Sequence, residues 1–299
     1  MDSMVDELHT VRDWLRWAVS RFSEAGLFFG HGCDNAYDEA AWLILHTLHL
    51  PLDRLDPFLD ARLTHGERLA LLNILQQRVT RRLPAAYLTG EAWLGEFRFY
   101  VDERVIVPRS YFAELLQDGL SPWVQQPSSI GSALDLCTGS ACLAILMAHT
   151  FPAALIDAVD LSADALAVAA RNISEYSLQD RVTLVESNLF EKLAGRRYDV
   201  ILSNPPYVTD RSMAELPPEY QHEPQLALAA GSDGLDIVRR ILTVAKHHLT
   251  DDGLLMVEVG HNADLVEAAY PDLPFTWIDA TGGEARVFLL TREQLQLHS

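Results

Sequence analysis

The chain has 299 residues, 49% of them hydrophobic and 22% charged, with 42 acids against 23 bases and a formal net charge of −19. This composition excludes a disordered chain, the length allows two ordinary domains, and the charge argues against binding bare nucleic acid, whose affinity rests on phosphate neutralisation. No apolar run reaches the length of a membrane span, Met1–Glu7 lacks the basic flank and apolar core of a signal peptide, and Cys33, Cys137 and Cys142 suit neither a disulfide framework nor a metal site. A cytoplasmic protein with no metal and no membrane association is expected. The acidity is uneven: residues 1–90 balance to −3 and residues 91–299 to −16. The second part suits a cationic ligand or a basic protein partner.

Residues 1–90 read as helical. Leu8, Val11, Leu15, Ala18, Val19 and Phe22 recur at three- and four-residue spacing, with Trp14 and Trp17 beside them. Asp38 to Leu50 repeats the pattern and Pro51 closes it. Thr64 and Glu67 form a capping-box pair ahead of a third helix that runs to about Arg82 and stops at Pro84. Arg78, Arg81 and Arg82 near its C-terminus favour the helix dipole, and a solvated helix end is expected there. His31, in a glycine-rich loop, has no nucleophile or carboxylate pattern around it and reads as structural.

Residues 91–130 read as a connector. Trp93, Phe97, Phe99, Val101, Val105 and Val107 alternate like strand residues, with a hairpin expected to turn near Asp102-Glu103-Arg104. Val107-Pro108-Arg109-Ser110 opens a helix, and Arg109 could anchor a carboxylate or bind a neighbouring helix end. Ser121 to Gly131 is a linker. From Ala133 the pattern alternates. Strands are expected at 133–136, 155–160, 182–186, 198–203, 254–259, 275–279 and 286–290, and helices at 141–149, 163–173, 233–249 and 263–270. This predicts an α/β fold, a largely parallel sheet with helices on both faces. Only Ala280–Glu284 separates the last two strands, so they should pair antiparallel at one edge.

Ligands of such sheets bind at the C-terminal strand ends. The first end opens into Asp135-Leu136-Cys137-Thr138-Gly139-Ser140-Ala141-Cys142, where Gly139 lets backbone approach a ligand. The dinucleotide glycine pattern is absent, so a small ligand fits better than a pyrophosphate. Cys137 reads as a small buried side chain. Asp160 ends the second strand, placed to accept from ribose hydroxyls. Asn188 could read an adenine edge, with Leu189 or Phe190 packing on the ring. The fourth strand ends at Asn204-Pro205-Pro206-Tyr207. Two prolines cannot donate hydrogen bonds. They leave the Asn204 oxygen and nearby carbonyls as fixed acceptors beside an aromatic ring, an arrangement that suits a planar NH2 group.

With these residues in view, the sequence resembles the class I S-adenosylmethionine-dependent methyltransferases that carry Asn-Pro-Pro-Tyr, and within them the HemK/PrmC family of protein glutamine methyltransferases. The resemblance covers essentially the whole chain, including Val107-Pro108-Arg109, Tyr220–Pro224 and Gly231–Gly234. Leu15–Trp17, Gly30–Gly32, Asp135–Gly139, Pro274–Trp277 and Phe288–Leu295 are similar to the branch acting on large-subunit ribosomal protein L-three rather than to the release-factor branch. Three features depart from the pattern. The loop's usual last glycine is Ala141, adding a methyl near the ligand; the usual acid after the third strand is Asn188; and Ser110–Glu114 replaces an acidic stretch.

The resemblance implies a Rossmann-like seven-stranded sheet with its last strand antiparallel, a small N-terminal helical domain at 1–90 that recognises substrate, and a methyltransferase domain at 131–299. It implies S-adenosyl-L-methionine bound by Asp135, Cys137, Thr138, Gly139, Ser140, Ala141, Asp160, Asn188, Leu189 and Asn204. It also implies a glutamine amide held by Asn204, Pro205, Pro206 and Tyr207, with Arg109 nearby. Methyl transfer from S-adenosyl-L-methionine to a glutamine of ribosomal protein L-three is thus expected, without metal. The alternatives are a release-factor glutamine methyltransferase, an adenine-N6 nucleic-acid methyltransferase and a non-catalytic ribosome assembly factor.

Overall fold

The computed structural model describes residues 2–279 and 286–296, and the chain folds as two compact units. One extends to Ala92 and takes in Pro217–His222; the other runs from Trp93 to Leu216 and resumes at Glu223.

The first unit is built of α1 (Asp2–Glu7), α2 (Val11–Glu24), α3 (Ala36–Thr47), α4 (His65–Arg81) and α5 (Ala85–Thr89). Helix α4 starts at the expected box: the Thr64 hydroxyl accepts from the Glu67 N–H, and the Glu67 carboxylate accepts from the Thr64 N–H. Helix α2 has a second such box, Thr10 with Asp13. Each cap is worth about 1 kcal/mol. Trp14, Phe22, Leu43, Ile44, Leu71 and Leu75 are fully buried in one core, each contributing roughly 1.5–3 kcal/mol. His31 is buried against the Tyr220 ring, 4.5 Å between centroids.

The basic end of α4 is not solvated. Arg78 is 1% exposed. Its Nε donates to Glu39 at 2.6 Å, Nη1 to Glu219 at 3.3 Å and Nη2 to the Phe28 carbonyl at 2.9 Å. Arg82 donates to the Ala25 and Gly26 carbonyls; of the three arginines only Arg81 is exposed. A guanidinium is buried only where acceptors meet its donors. Here they come from Phe28, Glu39 and Glu219, remote in sequence, which helix-end reasoning could not supply.

Next comes a two-stranded sheet of β1 (Glu91–Leu94) and β2 (Phe97–Tyr100), whose residues from Trp93 onward belong to the second unit. The hairpin turns at Gly95-Glu96, not near Asp102–Arg104. Gly95 takes φ 59°, the left-handed geometry a tight hairpin favours. Asp102–Arg104 is a separate turn, closed by the Asp102 carboxylate accepting from the Arg104 N–H and guanidinium. There follow α6 (Phe112–Gln117), β3 (Ser132–Leu136), α7 (Cys142–Thr150), β4 (Leu155–Asp160), α8 (Ala163–Glu175), β5 (Val182–Glu186), β6 (Tyr198–Ser203), α9 (Asp210–Glu215), α10 (Asp236–Val244), β7 (Leu249–Gly260), α11 (Ala263–Ala269), β8 (Thr276–Asp279), β9 (Arg286–Thr291) and α12 (Arg292–Gln296).

These strands form a seven-stranded α/β sheet in the order β5-β4-β3-β6-β7-β9-β8. The last strand, β9, runs antiparallel to both neighbours and lies between β7 and the edge strand β8; the expected connection Ala280–Glu284 lies outside the described residues. Alternate residues Leu134 and Leu136, Leu255 and Val257, Phe288 and Leu290 join one core with Val238, Ile241 and Leu242 of α10 and Val266 of α11, the period-2 and period-3.6 patterns meeting face to face. The sheet grows outward from β3 through β4 and β5 on one side and through β6 and β7 on the other. Leu136 pairs with Val159 and with Ser203, and Asp160 with Glu186. The C-terminal ends of β3, β4, β5 and β6 therefore meet at the reversal of strand order, where such sheets bind ligands.

Candidate active site

The loop after β3 alternates into the left-handed region at Cys137 (φ 62°), Gly139 (φ 54°) and Ala141 (φ 63°). For Cys137 and Ala141 this costs roughly 1–2 kcal/mol each. The loop is pinned from below. The Asp135 carboxylate accepts from the Thr138 hydroxyl at 2.5 Å and from the Ala144 N–H at 3.0 Å, and the Asn172 amide donates to the Ser140 carbonyl at 2.9 Å. Burial pushes the Asp135 carboxyl up to about 7, against the pull of its two hydrogen bonds.

Above the loop opens a cleft. Cys137 and Gly139 line it; Asp135, Thr138, Ser140 and Ala141 do not. Those four are 0–4% exposed and shape the loop from within. Ala141, expected to carry its methyl near a ligand, turns that methyl into the protein. A Cβ on Gly139 would meet nothing within 4 Å, so the cradle there is empty space.

At the end of β4, Asp160 lines the cleft. One carboxylate oxygen accepts from the Gly139 N–H at 2.9 Å and the other from the Ser162 N–H at 2.9 Å. Burial raises its pKa, and those amides oppose the rise. Each oxygen keeps a lone pair for a ribose hydroxyl. Asn188 and Leu189 also line the cleft. The Asn188 side chain is already engaged, donating to Glu191 at 2.8 Å and accepting from Arg240 at 2.8 Å. Leu189 faces the cleft with φ 53°, whereas Phe190 stacks on His248, 4.7 Å between ring centroids. Leu161, Ile106, Leu226 and Ile237 complete the apolar walls. Sequence reasoning missed all four. Leu161, 52% exposed beside the strand-end acid, carried a signal; Ile106 and Leu226 lie too far along the chain to have one.

The tetrapeptide after β6 serves two clefts. Asn204 and Pro206 line the first; Tyr207 lines a second, together with Arg109, Ser110, Tyr111, Glu258 and His261. Pro205 is buried. The Asn204 NH2 donates to the Arg109 carbonyl at 3.3 Å, which turns the Asn204 oxygen to the other side. The Tyr207 carbonyl accepts from the Asn262 side chain at 2.7 Å. Gly260 passes so close that a Cβ there would sit 2.8 Å from the Tyr207 ring. Of the two roles read for Arg109, the structure shows the carboxylate anchor: the guanidinium forms a bidentate pair with Glu223, both contacts 2.6 Å, and the group the residue turns to Asn204 is its carbonyl.

Two family models match the chain: the PrmC N-terminal domain over residues 13–90 and the methyltransferase small domain over residues 119–216. A protein of Neisseria meningitidis serogroup A is 60% identical over 97% of this chain and 95% of its own length, and one of Bordetella pertussis is 60% identical over 97% of both. Both bear the name ribosomal protein uL3 glutamine methyltransferase. This chain belongs to the ribosomal protein uL3 glutamine methyltransferase family. Among solved structures, the hMettl16 catalytic domain shares the fold, with TM-score 0.50 at 15% identity over 76% of this chain and 81% of that one. As a family member the protein is a methyltransferase, and S-adenosyl-L-methionine is its methyl donor. The first cleft fits that molecule: an acid for the ribose, apolar walls for the base, a glycine-opened cradle, and an acidic unit around a cationic sulfur.

Proposed function

We propose that the enzyme methylates the side-chain amide nitrogen of a glutamine in ribosomal protein uL3. The observation that carries the chemistry is the Asn204 carboxamide, whose NH2 is held by the Arg109 carbonyl so that its oxygen serves as an acceptor. The names of relatives at 60% identity support the substrate. The charge of −16 over residues 91–299 suits a basic ribosomal protein. In this reading residues 1–90 recognise the substrate, 91–130 connect, and 131–299 carry the cofactor site. The site of action is the cytoplasm; among the described residues no helix is long and apolar enough to cross a membrane.

An amide nitrogen is a poor nucleophile because its lone pair is delocalised into the carbonyl. The Asn204 oxygen and the Pro205 carbonyl each accept one N–H of the substrate amide, which orients the nitrogen and stabilises positive charge as it develops there. Tyr207 holds the amide plane by stacking, and its own position is fixed by Gly260 and Asn262. Bound S-adenosyl-L-methionine would supply an electrophilic sulfonium methyl and leave as the neutral thioether, and the methylated nitrogen would release one N–H proton to water. Aligned reactants of this kind gain up to about 7–11 kcal/mol from positioning. Asp160, with Cys137, Gly139, Asn188 and Leu189, holds the cofactor; Asp135, Thr138, Ser140 and Ala141 act by fixing the loop.

The test is incubation with isotopically labelled cofactor and a mixture of ribosomal proteins and release factors, followed by mass-spectrometric mapping. A methyl group on a uL3 glutamine side chain is expected. Label on a release factor would reassign the substrate. Label on naked nucleic acid would replace the reading with adenine-N6 methylation.

A further inference from the structure

One buried acid near Tyr207 has no part in the chemistry above. Glu258 stands in the run Leu254–Gly260 of β7, with Val257 and Val259 fully buried on either side, and is itself 1% exposed. Ser203 of β6 pairs with Val257 of β7. One step further along lie Asn204, just past the end of β6, and Glu258, within β7. The ladder between β7 and β9 shifts register between Glu258 and Gly260, an irregularity of the kind that re-aims side chains beside active sites. The Glu258 carboxylate accepts from the Ser110 hydroxyl at 2.6 Å and from the Tyr111 N–H at 3.2 Å. On the other side of the same segment, Glu223 accepts from the Val107 N–H at 2.9 Å and holds the Arg109 guanidinium. Two carboxylates from distant parts of the chain thus clamp residues 107–111, and the carbonyl at the middle of that segment receives the Asn204 NH2.

We propose that Glu258 is a positioning residue for methyl transfer, acting through Ser110, Tyr111 and the Arg109 carbonyl to hold the Asn204 oxygen toward the substrate amide. The inference rests on the reading of Asn204 as the amide acceptor and adds the part of the protein that aims it. The carboxylate form is required, because a charged acceptor takes both hydrogen bonds strongly. Burial pushes this carboxyl up to about 7, while Ser110, Tyr111 and Arg109 pull it down. Arg109, Tyr111, Glu114, Tyr207 and His261 are the charged and titratable groups of the shared cleft. Protonation below neutrality weakens the clamp, so turnover should lose an acid limb when Glu258 is replaced.

The test compares Glu258→Gln and Ser110→Ala with wild type, using uL3 and labelled cofactor. Both variants should lower kcat at least tenfold with KM for uL3 within about threefold and cofactor affinity by calorimetry within about twofold. Glu258→Gln should also flatten the pH profile between pH 6 and 8. In an Asn204→Asp background, which keeps an acceptor oxygen but removes the N–H that Arg109 holds, single-turnover rates should be unchanged by adding Ser110→Ala. Unchanged kcat in the single variants, or multiplicative losses in the double variant, would overturn the proposal. If Glu258→Gln fails to fold, the outcome rests on Ser110→Ala. Full activity of Asn204→Ala would instead overturn the underlying amide-acceptor reading, which separates the two failures.

Discussion

Glu219 and Glu223 lie close together in the chain, yet each is captured by an arginine of its own unit. In the helical unit Arg78 is 1% exposed and pairs with Glu39 as well as Glu219. In the catalytic unit the Arg109 side chain is 30% exposed and pairs with Glu223. The Arg78 donors end on Glu39, Glu219 and the Phe28 carbonyl. The Arg109 pair leads directly to Asn204, the proposed amide acceptor, because the same residue's carbonyl accepts from its NH2. The same chemistry closes a core in one place and aims a side chain in the other. Burial of an ion pair is therefore a poor guide to function until its backbone neighbours are followed.

The comparison can be broken most forcefully at Arg78. Arg78→Met leaves Glu39 buried without its guanidinium and takes from Glu219 one of the two arginines that pair with it, Arg82 being the other, and the helical unit should lose about 3–5 kcal/mol in urea unfolding. A loss below about 1 kcal/mol would mean the pair is not load-carrying. A second difference lies in pH. In the helical cluster the two acids shift in opposite directions. Burial raises Glu39 against the pull of Arg78; Glu219, for all its burial, is held low by the Phe28 N–H and by Arg78 and Arg82. In the catalytic unit Asp135 and Glu258 both rise to about 7 by burial. Native Glu258 keeps its proton up to about pH 7 while the unfolded chain releases it near pH 4.5. Its contribution is fully present below that unfolded value and is lost as pH rises through 7, a change of about 3 kcal/mol. Glu258→Gln should remove the Glu258 share of the fall in stability over that interval and leave the share of Asp135, measured by urea melts at successive pH values.

Arg109→Lys keeps the charge but loses the planar fork. It should slow methyl transfer about a hundredfold, as small misplacements do, while stability falls by only about 1 kcal/mol. Equal losses in both would erase the distinction between the two arginines. The smallest effect is expected at Ala141, whose buried methyl sits on left-handed backbone. Ala141→Gly should raise stability by about 1 kcal/mol or less and leave cofactor affinity unchanged in calorimetry.

Much of the catalytic frame was legible in the sequence, because buried parallel strands write themselves as short apolar runs. Strands 155–160, 182–186 and 198–203 lie where the pattern put them, and the Thr64–Glu67 cap holds α4 as read. What failed was what depends on remote partners. Arg78 looked like a helix-end charge because Glu39 and Glu219 are 39 and 141 residues away. The hairpin was misplaced because Asp102-Glu103-Arg104 is a real turn, though not the one joining the strands. In the site, strand-end residues were found, but loop residues were not sorted into those that face the cleft and those that hold the loop. Alternation of left-handed backbone at 137, 139 and 141 makes that division, and it has no sequence signature once cysteine and alanine stand where glycine would. Glu258 carried one unused signal, a lone acid inside the apolar run Leu254–Gly260.

Asn204 is the acceptor proposed to aim a glutamine amide. The direct measurement is a single-turnover assay of Asn204→Ala with uL3 and saturating labelled cofactor, run beside calorimetry of cofactor binding. Methyl transfer should fall by about a thousandfold, the scale of losing an oriented electrostatic partner, with cofactor affinity within a few-fold of wild type. Transfer at near wild-type rate, with the same affinity, would contradict it.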